Sequence, residues 1–227
     1  MNSLYPKQPT SNFHVIISIF VVCFAYIGLV YTTLPFRFTF LAVAGAIALY
    51  LNYGFFGIRS AFGPLQKGAT KIIVIGLIWN IIQTGVIAYL VQFVFHFSVA
   101  TNGKTTIFVD NTPLQFMYHL FQIICNLIGE ECLILVPSIL GIYFLKKQGI
   151  SEKWAMILIT LIGVFLFGMA HYSTYEGNLI QILFVTGLGR LPFNWIAFKA
   201  NSIWASAIAH VLYDLPLLLV ALLVSPN

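Results

Sequence analysis

From residue 13 onward the chain is a succession of apolar runs about 20 residues long, each interrupted by a short polar or Gly/Pro break. Runs of that length match the hydrocarbon thickness of a bilayer when helical. The pattern predicts helices over 13–31, ended by Thr32-Thr33-Leu34-Pro35, and over 36–56, broken at Gly54 and Gly57. Further helices are expected over 72–97, 114–145 and 154–171, with Pro137 kinking the fourth or dividing it into two pieces. A sixth begins near Asn178 and weakens at Gly187, Gly189 and Pro192, where a re-entrant segment would change the count. A seventh spans 202–224. Residues 1–12 read as a disordered polar lead and 98–113 as a polar loop. The expectation is an all-α, polytopic membrane bundle of about seven helices, forming a single domain over 13–227.

Composition agrees with the periodicity. Of the 227 residues, 60% are hydrophobic and 7% charged, with mean hydropathy +0.95, against about 25% charged in soluble domains. The net charge of +5 does not point to nucleic acid, because the Lys and Arg residues stand singly or in pairs between apolar runs. That is how topology is signalled. With the amino terminus inside, Lys7, Arg59, Lys67, Lys71, Lys146, Lys147, Lys153, Arg190 and Lys199 fall on the inner side, leaving Arg37 and Lys104 outside. Cys23, Cys125 and Cys132 lie within apolar runs and read as buried thiols.

Against this background, Glu130 and Glu131 are conspicuous. They are two of six acidic residues, placed side by side in the longest apolar run. A carboxylate near the bilayer centre costs roughly 2.5 to 3.5 kcal/mol on insertion scales, so it faces the bundle interior and marks function. Helical geometry sends adjacent side chains about 100° apart, so one glutamate meets the reaction while the other supports the fold. His210 and Asp214, four residues apart, share one face of the last helix, and His171 ends the fifth on the same face as Phe167. His14, His96 and His119 sit near helix ends with no partner at helical spacing and read as interfacial. Imidazoles and carboxylates together suit a zinc site with three protein ligands and an open water position. They equally suit metal-free hydrolysis by a glutamate general base. The pattern is not H-E-x-x-H.

Three short motifs occur in order: Glu130-Glu131-Cys-Leu-Ile-Leu135, Phe167-Gly-Met-Ala-His171 and His210-Val-Leu-Tyr-Asp214. Over about 114–220 the chain resembles the CPBP family of intramembrane proteases, which comprises CAAX prenyl proteases and bacteriocin-processing or immunity proteins. The family pattern is E-E-x-x-x-R, F-x-x-x-H and H-x-x-x-N or D. The resemblance implies an integral-membrane hydrolase cleaving a peptide bond at or in the bilayer. A motif-one glutamate would activate water, His171 and His210 would assist or, with Glu131, bind a metal such as zinc, and Asp214 would orient His210 or the oxyanion. The one departure is Leu135, where the family has Arg; Arg190 is a candidate replacement. Two other functions fit the same residues: acyl transfer to lipoproteins, or a non-enzymatic immunity or scaffold role. Counting along the fifth helix from Lys153 sets His171 near the outer face, and Glu130 comes out near mid-membrane. Substrates would then be exported peptides, lipoproteins or cell-envelope components, met at what is expected to be a bacterial cell membrane with the amino terminus cytoplasmic.

Overall fold

A computed structural model describes residues 9, 11–98 and 111–224. The lead expected over 1–12 and the loop over 98–113 fall largely outside them. Among the described residues there are seven α-helices and no strand: α1 Asn12–Tyr31, α2 Phe40–Phe62, α3 Ala69–Tyr89, α4 Pro113–Lys147, α5 Glu152–Ala170, α6 Leu188–Ala200 and α7 Ile203–Val224. Helices α1 to α5, with the short turns that extend α2 and α3, are long and apolar enough to cross a membrane; α7 is a shorter apolar helix over its described side chains. Large apolar side chains such as Phe24, Phe55, Ile82 and Phe165 cover the outside of the bundle, as a lipid-facing surface requires.

Helix α4 runs through the middle of the bundle, touching α2, α5 and α7. It starts where its sequence says it should. The Thr112 side chain accepts from the Gln115 backbone N–H while the Gln115 side chain accepts from the Thr112 backbone N–H, and Pro113 takes the first turn, where no N–H is needed. Pro137 does not divide it. Proline deletes only one ladder bond, and surrounding helices hold the freed backbone in place; Val136, Ser138 and Ile139 are all buried around it.

Small residues set how closely α2 and α4 approach. A Cβ on Gly45 would lie 2.3 Å from Cys132 Cβ, and one on Gly129 would lie 2.7 Å from Leu41 Cβ and 2.9 Å from the Ala42 nitrogen. With no hydrophobic drive between helices in lipid, such close packing is what holds them. Below this contact, α2 continues to Phe62 past Gly54, whose positive-φ, non-helical backbone (φ 62°, ψ −159°) is open essentially to glycine alone, so the break expected near residue 56 is a kink and not an end.

The segment after α5 is also one helix. A π-type stretch, Gln181–Gly187, feeds directly into α6, which carries Pro192 inside it. Pro192 cannot bond the carbonyl of Leu188, and that oxygen accepts instead from Gln83 Nε2 of α3 at 2.7 Å. The three cysteines are free, and Cys23 is exposed on the outer face of α1, not buried. A thiol is apolar enough to face lipid, so its place in an apolar run did not require burial.

Candidate functional site

Glu130 and Glu131 leave α4 in different directions and meet different partners. Glu131 is fully buried. It takes both terminal nitrogens of Arg190, from α6, in a forked pair whose second bond, Nη2 to Oε2, is 2.8 Å. Ser206 of α7 donates its hydroxyl to Glu131 Oε2, with the Phe193 carbonyl 2.9 Å from the same hydroxyl. His210 Nδ1 lies 2.7 Å from Glu131 Oε1. Arg190 is equally buried. Its Nε donates to Asn194 Oδ1 at 2.9 Å, and its guanidinium lies over the rings of Phe167 and Phe193, 5.2 and 6.0 Å from their centroids. A fork of five donors matches a carboxylate in a way a point charge does not. The cation missing at Leu135 is therefore supplied from another helix. Arg190 is also not a topology signal, because it faces no aqueous side, and it leaves the inner-side charge count.

Glu130 faces the imidazoles. Its Oε1 accepts from Asn126 Nδ2, one turn earlier, at 2.6 Å. Its Oε2 lies 4.0 Å from His171 Nε2 and 3.9 Å from His210 Nε2. The ring nitrogens on the far sides are already used. His171 Nδ1 is 2.9 Å from the Phe167 carbonyl, which can only accept, so Nδ1 carries a proton and, in the neutral imidazole, Nε2 is the acceptor nitrogen. For His210, the arginine-paired Glu131 accepts at Nδ1, and Nε2 looks toward Glu130 and toward Asp214 Oδ2 at 3.4 Å. Asp214 is the outermost member, its side chain 42% exposed.

Aromatic rings fix these imidazoles in place. Phe193 stacks on His210 with centroids 4.5 Å apart, Phe167 packs at 4.7 Å from His171, and Tyr175 stacks on the other side of His171 at 6.1 Å. The end of α5 that carries His171 is tied to α1 by the Tyr26 hydroxyl, which donates to the Ala170 carbonyl at 2.8 Å. Both α5, 19 residues long, and the run of α4 from Lys147 back to Glu130 rise roughly 26 to 28 Å at 1.5 Å per residue. The two therefore reach one level, and the expected difference in depth between Glu130 and His171 is absent.

All five residues singled out from sequence are drawn into one cluster: Glu130, Glu131, His171, His210 and Asp214. Glu130, and not Glu131, lies between the two Nε2 atoms. Zinc with ligand bonds of about 2.0 to 2.2 Å would hold its donors roughly 3.3 to 3.5 Å apart in a tetrahedron, closer than the 3.9 and 4.0 Å found here. Among the described residues no group of three His, Cys, Asp or Glu side chains is at metal-holding spacing. The donors are of the right kind for zinc but stand too far apart to hold it without moving. The sequence reading passed over Asn126, Ser206 and Asn194. Their signal was burial of an amide or hydroxyl in an apolar helix, visible for Asn126 in its place four residues before Glu130.

Residues 112–216 match the family model described as type II CAAX prenyl endopeptidase Rce1-like. That match, over a little under half of the chain, supports a CPBP family assignment. The matched segment contains all three motifs and Arg190, so each side chain that meets Glu130 or Glu131 above comes from the matched part of the chain. The family is one of membrane peptidases, acting on peptide substrates in a lipid environment. No curated protein and no solved structure matches the chain.

Proposed function

We propose that this CPBP protein is an intramembrane peptidase in which Glu130 is the general base and His171 its partner in holding water. The supporting observation is the position of Glu130 Oε2 within 4.0 Å of both Nε2 atoms. A water placed among them, at ordinary hydrogen-bond lengths of about 2.8 Å, donates one proton toward Glu130 Oε2 and the other toward Nε2 of His171. Its lone pairs are then free to attack a carbonyl carbon. Glu130 takes the proton as the new C–O bond forms and returns it to the leaving amine as the C–N bond breaks.

The remaining residues act behind this centre. Arg190 and Ser206 hold Glu131, Glu131 holds His210 Nδ1, and Asp214 borders His210 Nε2 from the exposed side. A carboxylate repels a developing oxyanion, so Asp214 works on His210 and not on the substrate oxygen. The substrate class is a lipid-anchored peptide, either prenylated or lipoprotein-like.

The test is cleavage, by the full chain in nanodiscs, of a fluorogenic prenylated C-terminal peptide and of a diacylated lipoprotein-type peptide. Hydrolysis of one of them is expected, reduced at least ~100-fold in Glu130→Gln and in His171→Ala, the usual range for a general base. Undiminished cleavage by the His171→Ala/His210→Ala double variant would overturn the mechanism.

A further inference from the structure

The apolar sequence of α4 is interrupted on one side by more than its glutamates. His119, Gln122, Asn126 and Glu130 recur at spacings of three, four and four, which on a helix is a single stripe. It rises about 17 Å from Glu130 toward the start of α4 at 1.5 Å per residue. Gln122 is 4% and Asn126 3% exposed. Beside the stripe, each turned about 100° from Gln122 and Asn126, Ile123 and Leu127 pack with Phe116, Leu120, Val211 and Leu218.

Two oxygens in this stripe have no hydrogen-bond partner among the described residues: Asn126 Oδ1 and Gln122 Oε1. The orientation of Asn126 follows from its neighbour. Only the amide nitrogen can donate to Glu130 Oε1, which turns Oδ1 away from the carboxylate. Were these amides there to fasten helices together, their oxygens would accept from a neighbouring helix. Instead, two buried acceptors stand in line with the proposed base, each requiring a donor. Successive side chains four residues apart sit about 6 Å along the axis, close to the span of two hydrogen bonds through one water.

We propose that His119, Gln122 and Asn126 line a hydrated path along α4, supplying water to Glu130 from the end of the molecule where α4 begins. The proposal rests on Glu130 being the base. Hydrolysis consumes one water per turnover, and Glu130 is only 7% exposed, so water must be replaced along some polar route. Asn126 has a second part in it as a positioning residue, because its amide fixes the rotation of the Glu130 carboxylate and thereby the place of Oε2.

The probe is water itself. In the full chain in nanodiscs, with Cys23, Cys125 and Cys132 replaced by Ala, single cysteines are introduced as Gln122→Cys, Asn126→Cys, Ile123→Cys and Leu127→Cys. The S–H stretch is then followed by infrared spectroscopy after transfer to D2O. Exchange to S–D at positions 122 and 126 is expected at least ~10-fold faster than at 123 and 127. Equal rates at all four would overturn the path. Because Gln122→Cys leaves the Asn126 bond to Glu130 untouched, it reports even if Asn126→Cys disturbs the site. Slow exchange at 122 together with loss of cleavage in Glu130→Gln would refute the path and leave the peptidase reading standing. Fast exchange with full cleavage by Glu130→Gln would refute that reading, and with it the purpose assigned to the path.

Discussion

Buried arginine is the costliest single feature of this molecule, and Arg190 is retained because Glu131 needs it. Taking both charges out of water costs several kcal/mol each, offset only by the forked pair and by further bonds to Asn194, Ser206 and His210. Removing one partner is therefore worse than removing both. Arg190→Met should destabilise the protein by about 3 to 5 kcal/mol, while Glu131→Gln/Arg190→Met should lose less, read from reversible unfolding in mixed detergent micelles. Melting of the single variant at the wild-type midpoint would show that the pair contributes nothing. The residues around this pair also show how far sequence goes. Glu130, Glu131, His171, His210 and Asp214 were legible because ionisable groups in apolar runs are rare, and the three motifs order them. Which glutamate faces the imidazoles was not legible, since a 100° difference in direction has meaning only once neighbouring helices are placed. Arg190 was visible only as a spare cation. Ser206 lay hidden among small residues of α7.

At the scale of the helix, Glu130 is placed by a glycine. Gly129 lets α4 lie against the start of α2, and any side chain there meets Leu41 Cβ at 2.7 Å and the Ala42 backbone at 2.9 Å. Backbone cannot rotate away as a side-chain tip can, so α4 would have to shift or turn, carrying Glu130 with it. Gly129→Ala should cost about 1 to 3 kcal/mol, the usual range for overpacking, and should lower cleavage well beyond its effect on stability, because general-base geometry tolerates little displacement. Alanine at Gly85, where a Cβ meets nothing within 4 Å, is the control and should leave cleavage unchanged. Equal cleavage by the two variants would mean that α4 does not position the site through this contact. Helix type and approximate limits were legible throughout, because apolar length decides them. The continuity of α4 across Pro137 and of the π-type stretch into α6 was not, because both depend on what neighbouring helices do for a backbone group that proline or a π turn frees. The Gln83 bond to the Leu188 carbonyl shows that compensation directly.

For the whole molecule, the distribution of charge carries the remaining prediction. Arg59, Lys67, Lys71, Lys146, Lys147, Lys153 and Lys199 all lie in or beside the connectors where α2, α4 and α6 end and α3, α5 and α7 begin. At the opposite end, Phe36 packs edge-on to Tyr118 and Asn178 donates to the Ser98 carbonyl, so the starts of α2 and α4 and the turn after His171 are gathered there. Among the described residues, the basic side chain at that end is Arg37, tied to the Thr32 carbonyl. Loss of Arg190 from the count leaves the asymmetry intact. Lysine and arginine in short connectors are retained on the cytoplasmic side, which predicts the Gly63-Pro64 connector inside and the turn over 172–177 outside. Paired fusions of a fluorescent reporter active inside and a phosphatase active outside, inserted after Pro64 and after Ser173, should give opposite readings, with the carboxyl terminus matching the latter. The hydrated path runs along α4 toward the same end as that turn. Water would then enter from the non-cytoplasmic side, and a lipid-anchored substrate would present its scissile bond there after export. A cytoplasmic reading after Ser173 would invert the assignment and direct the search to substrates anchored on the inner leaflet.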